Sequence, residues 1–257
     1  RRAREDLTEL MPALLKALAR DGDADRSFLD FDRFLSGLGA GVQLFAMLKA
    51  NPGLLDLIAR ILGTAPRLAE GLSRRPRVLE AVLEPGFFGP LPQREQVQAL
   101  ADQILPPGLP LEEAMDRARV FGREQQFRVG VRVLSDTVSA EDAGTAFANI
   151  ADVLIAKLLQ ASLADLETRH GKTLGGRAAV IAMGKLGGRE MTASSDLDLI
   201  LVYDHPDDVL QSAGERPLGA AQFYQRLTQR FISALTAPTA EGPLYEVDMR
   251  LRPSGSK

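Results

Sequence analysis

The run AAVIAMGKLGGREMTASSDLDLILVYD, from Ala178 to Asp204, holds the residues of this 257-residue chain best placed to do chemistry. An apolar, strand-like stretch from Ala178 to Met183 breaks at Gly184-Lys185-Leu186-Gly187-Gly188. After seven intervening residues, Asp196-Leu197-Asp198 enters a second apolar stretch. Side chains alternate along a strand, so Asp196 and Asp198 are expected on one face, with Leu197 and Leu199 on the other. Two carboxylates side by side at the edge of an apolar sheet repel each other and are costly to desolvate unless a cation neutralises them. Hard oxygen donors suit Mg²⁺, which commonly arrives with nucleotide phosphates. The pattern points to metal-dependent nucleotidyl transfer.

A third strand is expected over residues 244–252, where Tyr245, Val247, Met249 and Leu251 alternate with Glu246, Asp248, Arg250 and Arg252. If it pairs beside the aspartate strand, Asp248 adds a third carboxylate to the same metal cluster. Arg250 and Arg252 would flank it, balancing its charge or meeting phosphate oxygens. The Gly184–Arg189 turn has two readings. Glycines can bring backbone amides close to a phosphate, with Lys185 and Arg189 adding positive charge. Equally, Gly187-Gly188 can simply serve the turn from a strand into a short helix. Ser195 is open in the same way, as a phosphate contact or as a cap on the local turn.

The elements that must position these residues divide the chain near residue 170. Before it the pattern is helical almost throughout. Leu7, Leu10, Met11, Leu14, Leu15 and Leu18 form an amphipathic stripe that ends at Asp21-Gly22-Asp23. Short helices are expected from Phe28 to Leu83, with breaks at Asn51-Pro52, Ala65-Pro66 and Arg75-Pro76, and Asn51 is suited to an N-cap. Residues 84–91 and 106–108 read as loops. A long, arginine-studded helix is predicted over 111–134, and Ser139 with Asp142 opens another whose Phe147, Ile150, Leu154, Leu158 and Ala161 share a face. These stripes read as helix-bundle core. Residues 170–177 form a glycine-rich link. Beyond it comes strand, tight turn, strand, helix over 220–235, and strand. The fold class expected is α+β and predominantly α, with a helical domain over 1–170 and a small α/β catalytic core over 171–257.

Composition narrows the chemistry. The chain is 45% hydrophobic and 25% charged, an ordinary balance for a packed core. No uninterrupted apolar run approaches the roughly 18–20 residues of a membrane span, so no membrane association is expected. With no cysteine and only His170 and His205, a soft-metal centre is disfavoured. The net charge of −3, with an isoelectric point near 5.6, argues against a long nucleic acid as the acceptor. Beginning at Arg1 and stopping at Lys257, the chain reads as an internal piece of something longer.

Gly187-Gly188, seven residues, Asp196-x-Asp198 and a distal strand aspartate together resemble the nucleotidyltransferase superfamily that includes DNA polymerase β. The likeness sharpens over GKLGGREMTASSDLDLILVYD, FYQRLTQRFISALT and EGPLYEVDMRLRPSG, which are similar to the bifunctional glutamine synthetase adenylyltransferase/adenylyl-removing enzymes. AGVQLFAMLKANPGLLDLIARILGTAPRLAEGLSRRP and REQQFRVGVRVL extend it over nearly the whole chain.

The resemblance implies a polymerase β-like catalytic domain and ATP as substrate. It also implies two Mg²⁺ ions on Asp196, Asp198 and Asp248, and nucleotide contacts from Gly184, Lys185, Gly187, Gly188, Ser195, Arg250 and Arg252. It implies glutamine synthetase as protein substrate, the PII signalling protein as a further partner, a cytoplasmic location and a role in nitrogen assimilation. Such enzymes carry two related domains, the C-terminal one adding AMP to a tyrosine and the N-terminal one removing it by phosphorolysis. Leu201-Val202-Tyr203-Asp204 and Arg252-Pro253-Ser254-Gly255 lean to the adenylylating copy. The helical segment then resembles the region between the two copies, and the catalytic core is expected to be truncated on its C-terminal side. A largely scaffolding role for the helices is the non-enzymatic alternative.

Overall fold

Leucine and phenylalanine at three- and four-residue steps set the first helices, because that spacing gathers apolar side chains on one helical face. The computed structural model describes residues 2–20, 23–36, 41–65, 68, 69, 72, 82, 86–208 and 210–249. Arg250 and Arg252 lie outside these, as do Pro66 and Pro76. By packing, the chain forms two units, residues 1–90 with 127–140, and residues 91–126 with 141–257. That line is not the one drawn at residue 170, since helices on both sides of it share a unit with the strands.

The first unit contains α1 (Arg2–Leu18), α2 (Ala24–Ser36), α3 (Gly41–Ala50) and α4 (Pro52–Thr64). Its core gathers Leu14, Leu18, Phe31, Phe34, Leu48, Ile58 and Ile61 with Phe127 and Val131. Leu15 departs from the expected stripe and is 48% exposed. Asp23 does more than end α1: its Oδ1 accepts from the amides of Asp25 and Arg26 at 3.1 and 3.2 Å, capping α2. Asn51 stands at the start of α4, yet its side chain does not cap that helix. Instead its amide donates back to the carbonyl of Met47 at 3.0 Å, closing α3.

The second unit contains α5 (Arg94–Ile104), the first part of α6 (Leu111–Leu134), and α7 (Ala140–His170). The strands follow in it: β1 (Arg177–Ala182), the single turn α8 (Gly184–Gly187), β2 (Leu197–Asp204), α9 (Ala220–Thr236) and β3 (Val247–Asp248). β1 and β2 are antiparallel; β2 and β3 are parallel, and α9 is the crossover that a parallel pair requires. Phe223, Tyr224 and Leu227 of α9 pack with Leu166 of α7 and Ala178 of β1. The third strand is shorter than expected: β3 spans two residues, Tyr245 is buried before it begins, and residues 250–252 lie outside the described chain.

Helix α7 differs most from its expected single face. Fifteen of its residues are buried, including an unbroken series from Ala146 to Ala151, so neighbours enclose it on most sides. By length and mean hydropathy it could cross a bilayer, although polar residues interrupt its apolar runs, but 61% of its most apolar window is buried in protein. Its one lysine is also paired. Lys157 meets Asp102 at 2.6 Å and donates to the carbonyl of Leu105 at 3.0 Å. Hydrogen bonding from Lys157, with help from Gln98, holds the Asp102 carboxyl below its usual range. A buried, charge-paired helix of this kind is a core element.

Candidate active site

Burial over the first half of β2 follows the expected alternation. Leu197 and Leu199 are buried at 0% and 1%, whereas Asp198 is half-buried and Asp196, just before the strand, is exposed. The amide of Leu197 donates to the carbonyl of Glu246 at 2.9 Å, and the parallel ladder then sets Leu197 opposite Val247 and Asp198 opposite Asp248. Paired residues of neighbouring strands share a face, and neighbouring strands run roughly 4.8 Å apart. Asp198 and Asp248 are therefore brought together by backbone pairing. Asp196 precedes Asp198 by two residues at the same end of the sheet.

The glycine turn meets the same aspartate. The amide of Met183, at the end of β1, donates to the carbonyl of Asp198 at 2.9 Å, and the chain then enters α8 at Gly184. Gly184 has φ of +52°, a region that disfavours side chains, and a Cβ there would collide with the Asp198 carboxylate. Gly187 is fixed by packing instead, because a Cβ would lie 2.7 Å from the carbonyl oxygen of Ala182. The amides of Gly187 and Gly188 donate to the carbonyls of Met183 and Gly184, both at 2.9 Å. The amides left for an outside acceptor are those of the first turn, Gly184 to Leu186, as at any helix start. Lys185 is exposed beside them.

Ser195 and Arg189 face inward. The hydroxyl of Ser195 accepts from the amide of Thr192 at 2.9 Å and lies 3.0 Å from the Thr192 hydroxyl, which holds the turn before Asp196. Arg189 adopts φ of +59°, and its guanidinium donates to Asp152 at 3.1 Å and to Asn149, both on α7. Its charge is thus committed to anchoring the glycine turn on α7, where a bound phosphate had been one expectation.

A further set of residues was not singled out from the sequence. Arg119 on α6 is fully buried and donates to the carbonyls of Gly242, Ala234 and Ala237 at 2.7, 3.0 and 2.6 Å. Burial pushes its guanidinium below the ordinary arginine range. One turn on, Arg123 lies 3.7 Å from Glu241, and Gln126 donates to the Tyr245 hydroxyl at 2.9 Å. Burial raises Tyr245 well above the usual tyrosine value, against the lowering effect of the Gln126 bond. The available signal was the spacing of these three polar residues on one face of an arginine-rich helix. What they would hold was not visible, because their partners lie 115 to 123 residues further along the chain.

The carboxylates of Asp196, Asp198 and Asp248 suit a hard divalent cation as a donor set, since each offers oxygen alone. The place that a Gly184 Cβ would fill against Asp198, and the Asp198–Asp248 pairing, fit such an ion at this end of the sheet. Among the described residues, no three histidine, cysteine, aspartate or glutamate side chains are already drawn close enough to hold a metal. Mutual repulsion between carboxylates favours an open arrangement until a cation offsets it.

Known proteins match this chain closely. A family model described as glutamate-ammonia ligase adenylyltransferase matches residues 55–257. The bifunctional glutamine synthetase adenylyltransferase/adenylyl-removing enzyme of Brucella melitensis is 51% identical over 255 residues, covering 99% of this chain. Proteins of the same name from Mesorhizobium japonicum and Rhizobium meliloti are 50% and 49% identical over the same span. The chain spans 26% of the length of each of these relatives.

Proposed function

Because this chain belongs to the glutamate–ammonia ligase adenylyltransferase family, we propose that it serves Mg²⁺-dependent transfer of AMP from ATP to a tyrosine of glutamine synthetase. In this reading it works within a longer cytoplasmic enzyme that also answers to the PII signalling protein. The observation that carries the reading is the pairing of Asp198 with Asp248 beside the Gly184 turn.

Asp196, Asp198 and Asp248 would hold the magnesium. When bound, it supplies positive charge to the attacking tyrosine oxygen and to the departing pyrophosphate. The chain's own residues position the reactants. First-turn amides from Gly184 to Leu186, with the Lys185 ammonium, offer donors to the triphosphate. Gly187 lets that turn close against the end of β1. Ser195 acts through the turn it holds, fixing where Asp196 emerges, and Arg250 and Arg252, outside the described residues, are assigned phosphate contacts in this reading. As the tyrosine oxygen bonds to the α-phosphorus, the bond from that phosphorus to the pyrophosphate oxygen breaks, and the phenolic proton leaves to water. Positioning and electrostatics carry the rate.

The names of the relatives pair adenylyl transfer with adenylyl removal, which favours one second reading: phosphorolytic removal of AMP at the same carboxylates. Asp198→Asn in the full-length enzyme separates the two, because the amide keeps the shape and forfeits the charge. Transfer to glutamine synthetase should fall on the order of 10²- to 10³-fold with helical content unchanged. Loss of AMP removal alone would select the second reading. Near wild-type rates in both directions would dismiss Asp198 as a ligand.

A further inference from the structure

Burying a guanidinium is costly, and an apolar side chain of similar volume often replaces a buried charge without loss. Arg119 is fully buried, and its acceptors among the described residues are all backbone carbonyls. One, Met115, is on its own helix at 2.9 Å. Ala234 and Ala237 lie at the C-terminal end of α9, where carbonyls lack intrahelical donors and the helix dipole is negative. The last, Gly242, closes a turn with Thr239, whose carbonyl accepts from the Gly242 amide at 2.8 Å.

Beyond that turn the chain approaches the aspartates. The amides of Leu244 and Tyr245 both donate to Leu235 of α9 at 3.2 Å, and the Tyr245 hydroxyl is held by Gln126. Glu246 then accepts from Leu197, and Asp248 falls opposite Asp198. The end of α9, the turn and the entry to β3 are thus tied to one face of α6 at successive points. Arg119 is the member that joins α9 to the turn.

We propose that Arg119 is a positioning residue for the metal-binding carboxylates: by tying the end of α9 to the Thr239–Gly242 turn, it sets the register in which Asp248 meets Asp198. The proposal rests on the reading of Asp248 as a metal ligand. An arginine suits the role because its planar fork donates in several directions at once, whereas a lysine offers one compact charge.

The test uses the full-length enzyme carrying Arg119→Met, Arg119→Lys or Asp248→Asn. Two readouts are independent of turnover: Mn²⁺ affinity by electron paramagnetic resonance, and hydrogen exchange at the amides of Leu197, Val247 and Asp248. Arg119→Met should weaken Mn²⁺ binding by about tenfold or more, the range seen when residues supporting metal ligands are removed. It should also speed exchange at those three amides while α7 stays protected. Arg119→Lys keeps the charge at the end of α9 and should fall between Arg119→Met and wild type, which keeps the proposal testable even if the methionine variant misfolds. Wild-type Mn²⁺ affinity in folded Arg119→Met, with Asp248→Asn weakened, overturns the proposal alone, as does faster exchange spread evenly over α7 and the strands. Wild-type affinity in Asp248→Asn overturns the reading of Asp248 and the proposal with it.

Discussion

Helix α6 buries Arg119 in one unit and Arg132 in the other, and the two are held in different ways. Arg119 makes short bonds to carbonyls on α9 and on the turn before β3. Among the described residues Arg132 reaches Thr137 alone, five residues on, at 3.5 Å, the limit of a useful hydrogen bond. The units differ in the same sense. Around Arg132 the core is a cluster of leucine, isoleucine and phenylalanine, where side-chain volume governs stability. On the side of the aspartates, apolar packing is supplemented by directed bonds: Arg119 to α9, Arg189 to α7, and Gln126 to Tyr245. Volume is satisfied by many sequences, whereas a bond to one carbonyl fixes a distance and a direction. The proposed site, which would align three carboxylates, depends on the second kind of constraint.

This contrast makes distinct mutations diagnostic. The largest effect on stability is expected in the first unit. Phe34 is fully buried, and Phe34→Ala should cost about 3–5 kcal/mol in denaturant unfolding, while folded molecules of the full-length enzyme should keep the proposed AMP transfer. Loss of catalysis in the folded fraction would break the distinction between the units. In the second unit, Gly184→Ala should cost about 1–2 kcal/mol for forcing a side chain into the left-handed region. On the proposed function it should also lower AMP transfer by the full-length enzyme about 10- to 100-fold, a larger relative loss, because the new methyl group would displace the Asp198 carboxylate. Full activity in that variant would uncouple the glycine turn from the proposed metal site.

A smaller, pH-dependent effect sharpens the account of the β3 approach. Tyrosine in the unfolded chain ionises near pH 10, but buried Tyr245 keeps its proton to higher pH. The unfolded state then binds fewer protons, so the stabilisation is complete below about pH 10 and is lost as pH rises beyond it. Unfolding measured between pH 8 and 11.5 should give wild type a steeper decline above pH 10 than Tyr245→Phe, by about 1.4 kcal/mol per pH unit. Equal slopes would mean that Tyr245 is not shielded from water as its burial implies.

Periodicity and turn chemistry are local, and what they govern was legible in the sequence. The helix over Leu111–Leu134, the alternation of Leu197 and Leu199 with Asp198, and the apolar face of α9 all follow from spacing alone. Long-range partners were not legible. The inward turn of Arg189 depends on Asp152 and Asn149, which sit 37 and 40 residues earlier, and the role of Arg119 depends on α9. Asn51 does not cap α4 with its side chain, whose amide nitrogen is turned back to the carbonyl of Met47 four residues earlier. Tyr245 continued the alternating pattern of a strand, but its hydroxyl is drawn to Gln126 and the ladder starts only at Val247.

If strand pairing sets Asp198 and Asp248 on one metal site, as proposed, a crystal structure of the full-length enzyme with Mg²⁺ and a non-hydrolysable ATP analogue will show it. The account predicts magnesium bound by Asp196, Asp198 and Asp248, with the triphosphate over the Gly184 turn. Ligand bonds of about 2.1 Å then keep the Asp198 and Asp248 carboxylates within about 8 Å of each other. Magnesium bound elsewhere, or the two carboxylates farther apart than that with nucleotide present, would contradict it.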